Sequence, residues 1–336
     1  MKKTLITLLF IPLAFLLLPL ALKAQGCSDA GFCTMGAMKP DQHLKTQRTA
    51  KLLSMQVSQY VARTKFEDYI CATTLEANIA LGSTNKNSMQ VKLPYMVIFN
   101  FLENTQGLGD ISLSYTRLLF KNEQIQVSGT LGAKIPTNKA NKTTRDGLPL
   151  PMYQQTSLGT YDAIMGVSVL AKGWLIATGI QQPVINENYN EFTWKAWRTA
   201  LPAGDARRAT QDKVPMSKRL VRKADVMLRV ERNIRFKRMD WHVGLLGIYK
   251  LQRPTFIDGT GERVENATAI NAGVRTEVET KSAKGLALSA IIGFTHHLSA
   301  KSALQVVYGD ALIRREKNPD GLSREQVYTV GYQYTF

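Results

Sequence analysis

The closing stretch, Arg324–Phe336, constrains the fold more than any other part of the chain. From Tyr328 onward the even positions are Tyr328, Val330, Tyr332, Tyr334 and Phe336, and the odd ones are Thr329, Gly331, Gln333 and Thr335. Strict period-two alternation marks a strand with one face in an apolar medium and the other in a wet one. An edge strand of a soluble sandwich could show it once. A chain that stops with its aromatic row still running is expected instead of a strand that closes a membrane barrel.

The other end agrees with export. Met1-Lys2-Lys3, an apolar run from Leu5 to Leu22 and Lys23-Ala24-Gln25 have the basic, apolar and small-residue regions of a secretory signal, expected to be removed as residues 1–24. Pro12 and Pro19 interrupt the run, which favours cleavage over a membrane anchor, and a lipoprotein site at Cys27 is a weaker reading because Ala24 stands where Leu is usual. No later run reaches the ~20 residues of a spanning helix, whereas spanning strands need only ~9–11 with half of them polar. Without Lys2, Lys3 and Lys23 the chain keeps 40 basic and 26 acidic side chains, a charge of +14. The basic residues are scattered or gathered in one loop, with no nucleic-acid-binding motif, so no nucleic-acid partner is expected. Cys27 and Cys33 could close a small disulfide loop in an oxidising compartment, leaving Cys71 over. Only His43 lies near the cysteine pair, so neither a metal site nor a cofactor is expected.

Residues 25–50 lack periodicity and read as a periplasmic tail or a plug. Residues 51–336 read as an antiparallel transmembrane β-barrel. Alternation recurs over 53–58, 71–81, 89–100, 110–120, 124–135, 160–170, 174–185, 224–236, 240–251, 285–297, 302–313 and the closing strand, giving about 12 strands. Residues 267–279 could add to them, and 14 stays open. The loops sort by parity. Residues 121–123, 171–173, 237–239 and 299–301 are short connections, while 137–159, 186–223 and 252–284 are long. A barrel with tight periplasmic turns and long outer loops sorts its connections this way, and a sandwich has no reason to.

Gly107-Leu108-Gly109-Asp110-Ile111-Ser112-Leu113-Ser114-Tyr115, leading into a strand that ends Lys134-Ile135-Pro136-Thr137, resembles the outer-membrane barrels of the MetA pathway of phenol degradation family, relatives of the fatty-acid transporter FadL. The resemblance implies a bacterial outer-membrane channel or transporter for small solutes, hydrophobic or aromatic ones among them. The Asn-Pro-Ala triplet of the FadL plug is missing here. Outer-membrane lipids and the barrel-assembly machinery are the expected partners.

On the wet rows stand Lys134, Asp162, Asp225, Arg229, Glu231, Arg235 and Lys250, expected to face the lumen, where they either hydrate it or pair and fill it. Pro94 lies in the third strand and lacks the N–H that a ladder needs. It either starts the strand or opens a gap for sideways exit. Eight basic residues between Arg198 and Lys223 make an outer loop that would be solvated or would draw anions to the mouth. An enzyme is not expected. His242, His296 and His297 fall beside the short turns, His43 is in the tail, and no hydrolase or phosphate-loop motif is present. A structural or assembly barrel of the envelope is the remaining alternative.

Overall fold

A computed structural model describes residues 50–64, 69–81, 86–100, 102–211, 214–257, 261–264, 267–271, 274–278, 283–315, 318–321 and 324–336. The signal segment, nearly all of the 25–50 tail and the Cys27/Cys33 pair lie outside them.

The barrel strands are β1 (Ala50–Thr64), β2 (Tyr69–Leu81), β3 (Asn87–Phe99), β5 (Ile111–Lys121), β6 (Ile125–Ile135), β7 (Thr160–Ala171), β8 (Trp174–Asn186), β9 (Asp225–Phe236), β10 (Met239–Lys250), β15 (Gly285–His297), β16 (Ser302–Ile313) and β17 (Arg324–Thr335). A short strand, β4 (Thr105–Leu108), extends the wall beside β3. Each barrel strand pairs antiparallel with its neighbours, and β1 pairs with β17, so the sheet closes as a 12-stranded barrel. The closing alternation does what its pattern demanded. Tyr328, Val330, Tyr332 and Tyr334 of β17 are exposed outside the wall, as is the terminal Phe336, while Val327 is buried inside. The stretch 267–279 adds no strand to the barrel. There β13 (Ala267–Asn271) and β14 (Val274–Val278) pair only with each other.

Both faces follow from the period of two. Outward rows hold exposed apolar side chains such as Leu131, Met165 (60% exposed), Ile176, Leu245 and Phe236 (62% exposed). Strands of 11 to 15 residues, at ~3.3 Å per residue and tilted by ~35–45°, carry a band matching a bilayer's apolar core.

One barrel end has tight connections at 122–124, 172–173, 237–238 and 298–301. In the second of these hairpins Lys172 and Gly173 both take left-handed backbone (φ 47° and 81°), as a two-residue turn that matches strand twist requires. A side chain at 173 would press within 2.9 Å of the Asn233 carbonyl oxygen.

At the other end the long loops fold inward. Residues 187–224 form α1 (Trp194–Ala200) and α2 (Ala206–Gln211). α1 begins where the Thr193 hydroxyl accepts the Ala196 N–H at 3.2 Å. Loop 251–284 carries β11 (Phe256–Ile257), paired with β12 (Arg263–Val264). Phe192, Trp194, Trp197 and Leu220 from the first of these loops, Leu150, Met152 and Tyr153 from loop 136–159, and Phe256 make one buried cluster with Met227, Leu246, Ile248 and Ile291 of the wall. A second apolar group, Tyr60, Ala62, Ile70, Ala72, Ile98 and Val327, fills the same end beside β1, β2, β3 and β17.

Candidate functional site

Below that cap buried polar and charged side chains converge on the barrel interior. It has an outer level and a waist.

The outer level is ionic. Arg222, three residues before β9, lies fully buried with its guanidinium 2.9 Å from Asp162 of β7 and 3.6 Å from Asp225 of β9. Arg222 also donates to the Thr160 hydroxyl at 3.2 Å. Arg315, from the β16–β17 loop, approaches Asp225 at 4.0 Å, and Lys250 of β10 is paired with Asp320 of the same loop. Beside them Lys134 of β6 meets Asp110 at 3.1 Å, and the Asp110 carboxylate accepts the Leu158 N–H at 3.2 Å. Burial alone would lower the Arg222 pKa, but the Asp162, Asp225 and Asp320 charges outweigh it and raise it. Burial likewise pushes the Asp320 carboxyl up, and Lys250, Arg315 and Arg222 together hold it well below the usual carboxylate range. Removing one member would leave its partner as an uncompensated buried charge, at a cost of ~3–5 kcal/mol. The cluster therefore latches three outer loops to the wall.

The waist is polar with little unpaired charge. Glu76 and Lys92 pair at 2.8 Å, and Gln90 donates to Glu76 at 2.5 Å and to Asn78 at 2.8 Å. Thr116 and Thr130 share a 2.9 Å hydrogen bond, and Gln56 of β1 donates to Gln305 of β16 at 3.1 Å, reaching over β17. Arg229 pairs with Glu231 on its own strand. Several interior side chains lie against a glycine of the next strand. A Cβ at Gly293 would run into the His242 ring, one at Gly331 would meet Gln56 Nε2 at 2.7 Å, and one at Gly244 would meet Glu231 Cα at 2.9 Å. Toward the short turns Asp240 is 2.7 Å from both Arg235 and His297.

Of the seven charged residues expected on the wet rows, Lys134, Asp162, Asp225, Arg229, Glu231 and Lys250 are buried on the interior rows. Arg235 keeps the same parity but is exposed at the turn end, paired with Asp240. What the sequence did not single out was their partners: Asp110 stood at the edge of the alternating stretch 110–120, and Arg222, Arg315 and Asp320 come from loops with no periodic signal to mark them. The outer basic loop is correspondingly less free than its composition suggested. Arg222 is interior, Lys218 and Arg219 pair with Glu191, and Arg207 pairs with Asp205 and Asp146.

Pro94 is not at a strand start. It faces Thr74 of β2 within continuous pairing. On its other side β3 pairs with β5 as far as Lys92 and resumes with β4 at Tyr95. Within that jog the Pro94 carbonyl accepts the Gly109 N–H at 2.8 Å, and a Cβ on Gly109 would press within 2.9 Å of the Pro94 ring. The proline thus sits where a bulge spares its missing N–H.

No protein-family model matches the chain, and no curated protein matches it. Solved structures do. It is similar to the COG4313 outer membrane channel from Pseudomonas putida F1 at 12% identity and a TM-score of 0.55, over 88% of this chain and 99% of that one. It also matches the NanC porin (9% identity, TM-score 0.44, 84% and 100% covered) and the CymD monoaromatic hydrocarbon channel (10%, 0.38, 86% and 89%). The first shows a shared β-barrel fold. The other two superpose too loosely to carry an argument.

Proposed function

We propose that this protein is an outer-membrane channel for small solutes, closed at its outer mouth by its own loops. The observation that carries the reading is the contrast between the two faces of one wall: apolar and exposed outside, polar and charge-paired inside. A barrel that served only as a scaffold would fill its interior with apolar side chains at less desolvation cost. Export by the N-terminal signal and insertion by the barrel-assembly machinery, guided by the aromatic closing strand, belong to the same reading, as does membership of the MetA-pathway family. Conductance of the purified protein in planar bilayers tests it. Discrete current steps are expected, and a sealed barrel would favour the structural alternative and end the channel reading. Phe336→Asp is expected to reduce the heat-modifiable folded form on gels, because it sets a charge in the exposed aromatic row at the chain end.

A second reading rests on the jog at Gly109–Asp110, where the β3–β5 ladder breaks beside Pro94. It would let an apolar solute leave sideways. Uptake of such a solute unchanged in Pro94→Val would end that idea.

A further inference from the structure

We propose that the outer rim above β8 holds the phosphate-bearing headgroup of an outer-leaflet lipid, with Lys139, Lys218 and Arg219 around Tyr189 as the contact. This rests on the outer-membrane location in the reading above and not on conduction.

The rim continues the period of two that builds the wall. Past the end of β8, Asn188, Asn190 and Phe192 are buried in the cap, while Tyr189 is exposed and Glu191 half-buried between them. Backbone hydrogen bonds set three segments side by side. The Tyr189 N–H donates to the Lys139 carbonyl at 2.8 Å, and the Arg219 N–H donates to the Asn190 carbonyl at 2.7 Å. Arg219 holds left-handed backbone there (φ 49°), which is uncommon in a residue with a Cβ. The basic side chains therefore stand on a hydrogen-bonded frame.

Their charge is only partly met. Lys139 Nζ lies 4.9 Å from the centre of the Tyr189 ring, and the Arg219 guanidinium carbon lies 4.5 Å from it. A ring attracts cations without neutralising them. Glu191 pairs with Lys218 at 3.0 Å and with Arg219 at 2.7 Å, so three cations share one carboxylate. With Glu187, two residues nearer the wall, the group is still positive. The two loops that carry it, 136–159 and 187–224, hold twelve basic and five acidic side chains. A phosphate brings up to about two charges and several acceptor oxygens, which suits cations gathered from two loops.

Position favours a lipid over a free anion. Val184 and Ile185 of β8, 60% and 54% exposed, lie on the lipid side of the wall a few residues before Tyr189. An acyl chain along them sets its headgroup beneath the basic rim, where each Lys or Arg near a charged membrane surface counts. The inward neighbours Asn188 and Asn190 are packed into the cap, so the row faces away from the lumen.

The test measures binding to the full mature chain in detergent by native mass spectrometry. The probes are bisphosphorylated lipid A, the same lipid with both phosphates removed, and inorganic phosphate as competitor. Only the phosphorylated lipid is expected to stay bound. Lys139→Gln/Lys218→Gln should weaken it about twenty-five-fold, about fivefold for each cation removed. Lys121→Gln/Lys301→Gln, at the short-turn end, should leave it unchanged, and both proteins should keep the heat-modifiable folded band. Each single variant is read separately if the double variant does not fold. Equal binding of the dephosphorylated lipid overturns the inference, as does an affinity unmoved by the rim substitutions or lowered equally by the control pair. Displacement of the lipid by millimolar inorganic phosphate overturns the lipid assignment in favour of a free anion. A barrel that conducts but binds no lipid A overturns this inference alone, and one that binds it through the rim without conducting upholds it while ending the channel reading.

Discussion

The outer and inner halves of this barrel are built from the same alternating strands, yet their interiors are organised in opposite ways. Near the outer mouth, interior positions such as Met227, Ile248 and Ile291 are apolar and accept loop side chains, with Trp197 and Phe192 fully buried against them. Its charges are buried and cross-linked between loop and wall. Toward the short turns the interior carries Ser, Thr, Gln and His, with glycines opposite the larger ones. The difference teaches where conformational change is affordable. The wall is held by backbone ladders, interrupted at the jog beside Pro94, whereas the cap is held largely by side-chain packing and a few ion pairs. Opening should therefore happen in the cap while the waist keeps its shape.

The strongest way to break that contrast is Arg222→Ala. It strands Asp162 and Asp225 without their nearest cation, a cost of ~3–5 kcal/mol. Single-channel recordings should show the open fraction rising by at least a hundredfold, with the barrel still heat-modifiable. A closed variant would mean that the latch does not hold the cap.

Gly293→Ala probes the other half. The added Cβ drives the His242 ring off the wall and into the lumen, with overpacking worth ~1–3 kcal/mol. Conductance of open channels should fall while the open fraction stays as before.

A smaller effect is expected from Trp197→Phe. The indole N–H donates to the Pro149 carbonyl at 2.7 Å and so ties loop 187–224 to loop 136–159. Phenylalanine keeps most of the packing and loses that bond, ~1 kcal/mol net and somewhat more where the carbonyl stays dry. Limited proteolysis of the outer loops should speed up severalfold.

The smallest effect is that of mild acid. Asp320 is held below the ordinary carboxylate range, so its contribution to the folded cap is fully present above the unfolded value of ~3.9. It is lost only as the pH falls through its still lower folded value. Open fraction should be the same at pH 7 and pH 5. A channel that opens over that interval would place its trigger elsewhere.

Much of the architecture was legible in the chain because one period decides it. Alternation in 124–135, 160–170 and 224–236 assigns each residue to the lipid or the interior face, and the parity of loop lengths assigns each end of the barrel. The hairpin formed by 267–271 and 274–278 shows the limit. Its residues alternate like a wall strand, yet only pairing partners decide whether a strand joins the wall.

What the sequence determined by itself was therefore the strand count to within one hairpin, the faces of those strands and the presence of interior charges such as Asp162, Asp225 and Lys250. Only the tertiary structure decided which charges meet. Arg222 looked like one of several basic residues of a solvated loop and proved to be the centre of the latch. Asp320 sits 70 residues from the lysine it holds. The glycines that seat His242 and Gln56 were equally silent in sequence. Local period is written into neighbouring residues, whereas loop return and cross-strand fit depend on contacts between residues far apart in the chain.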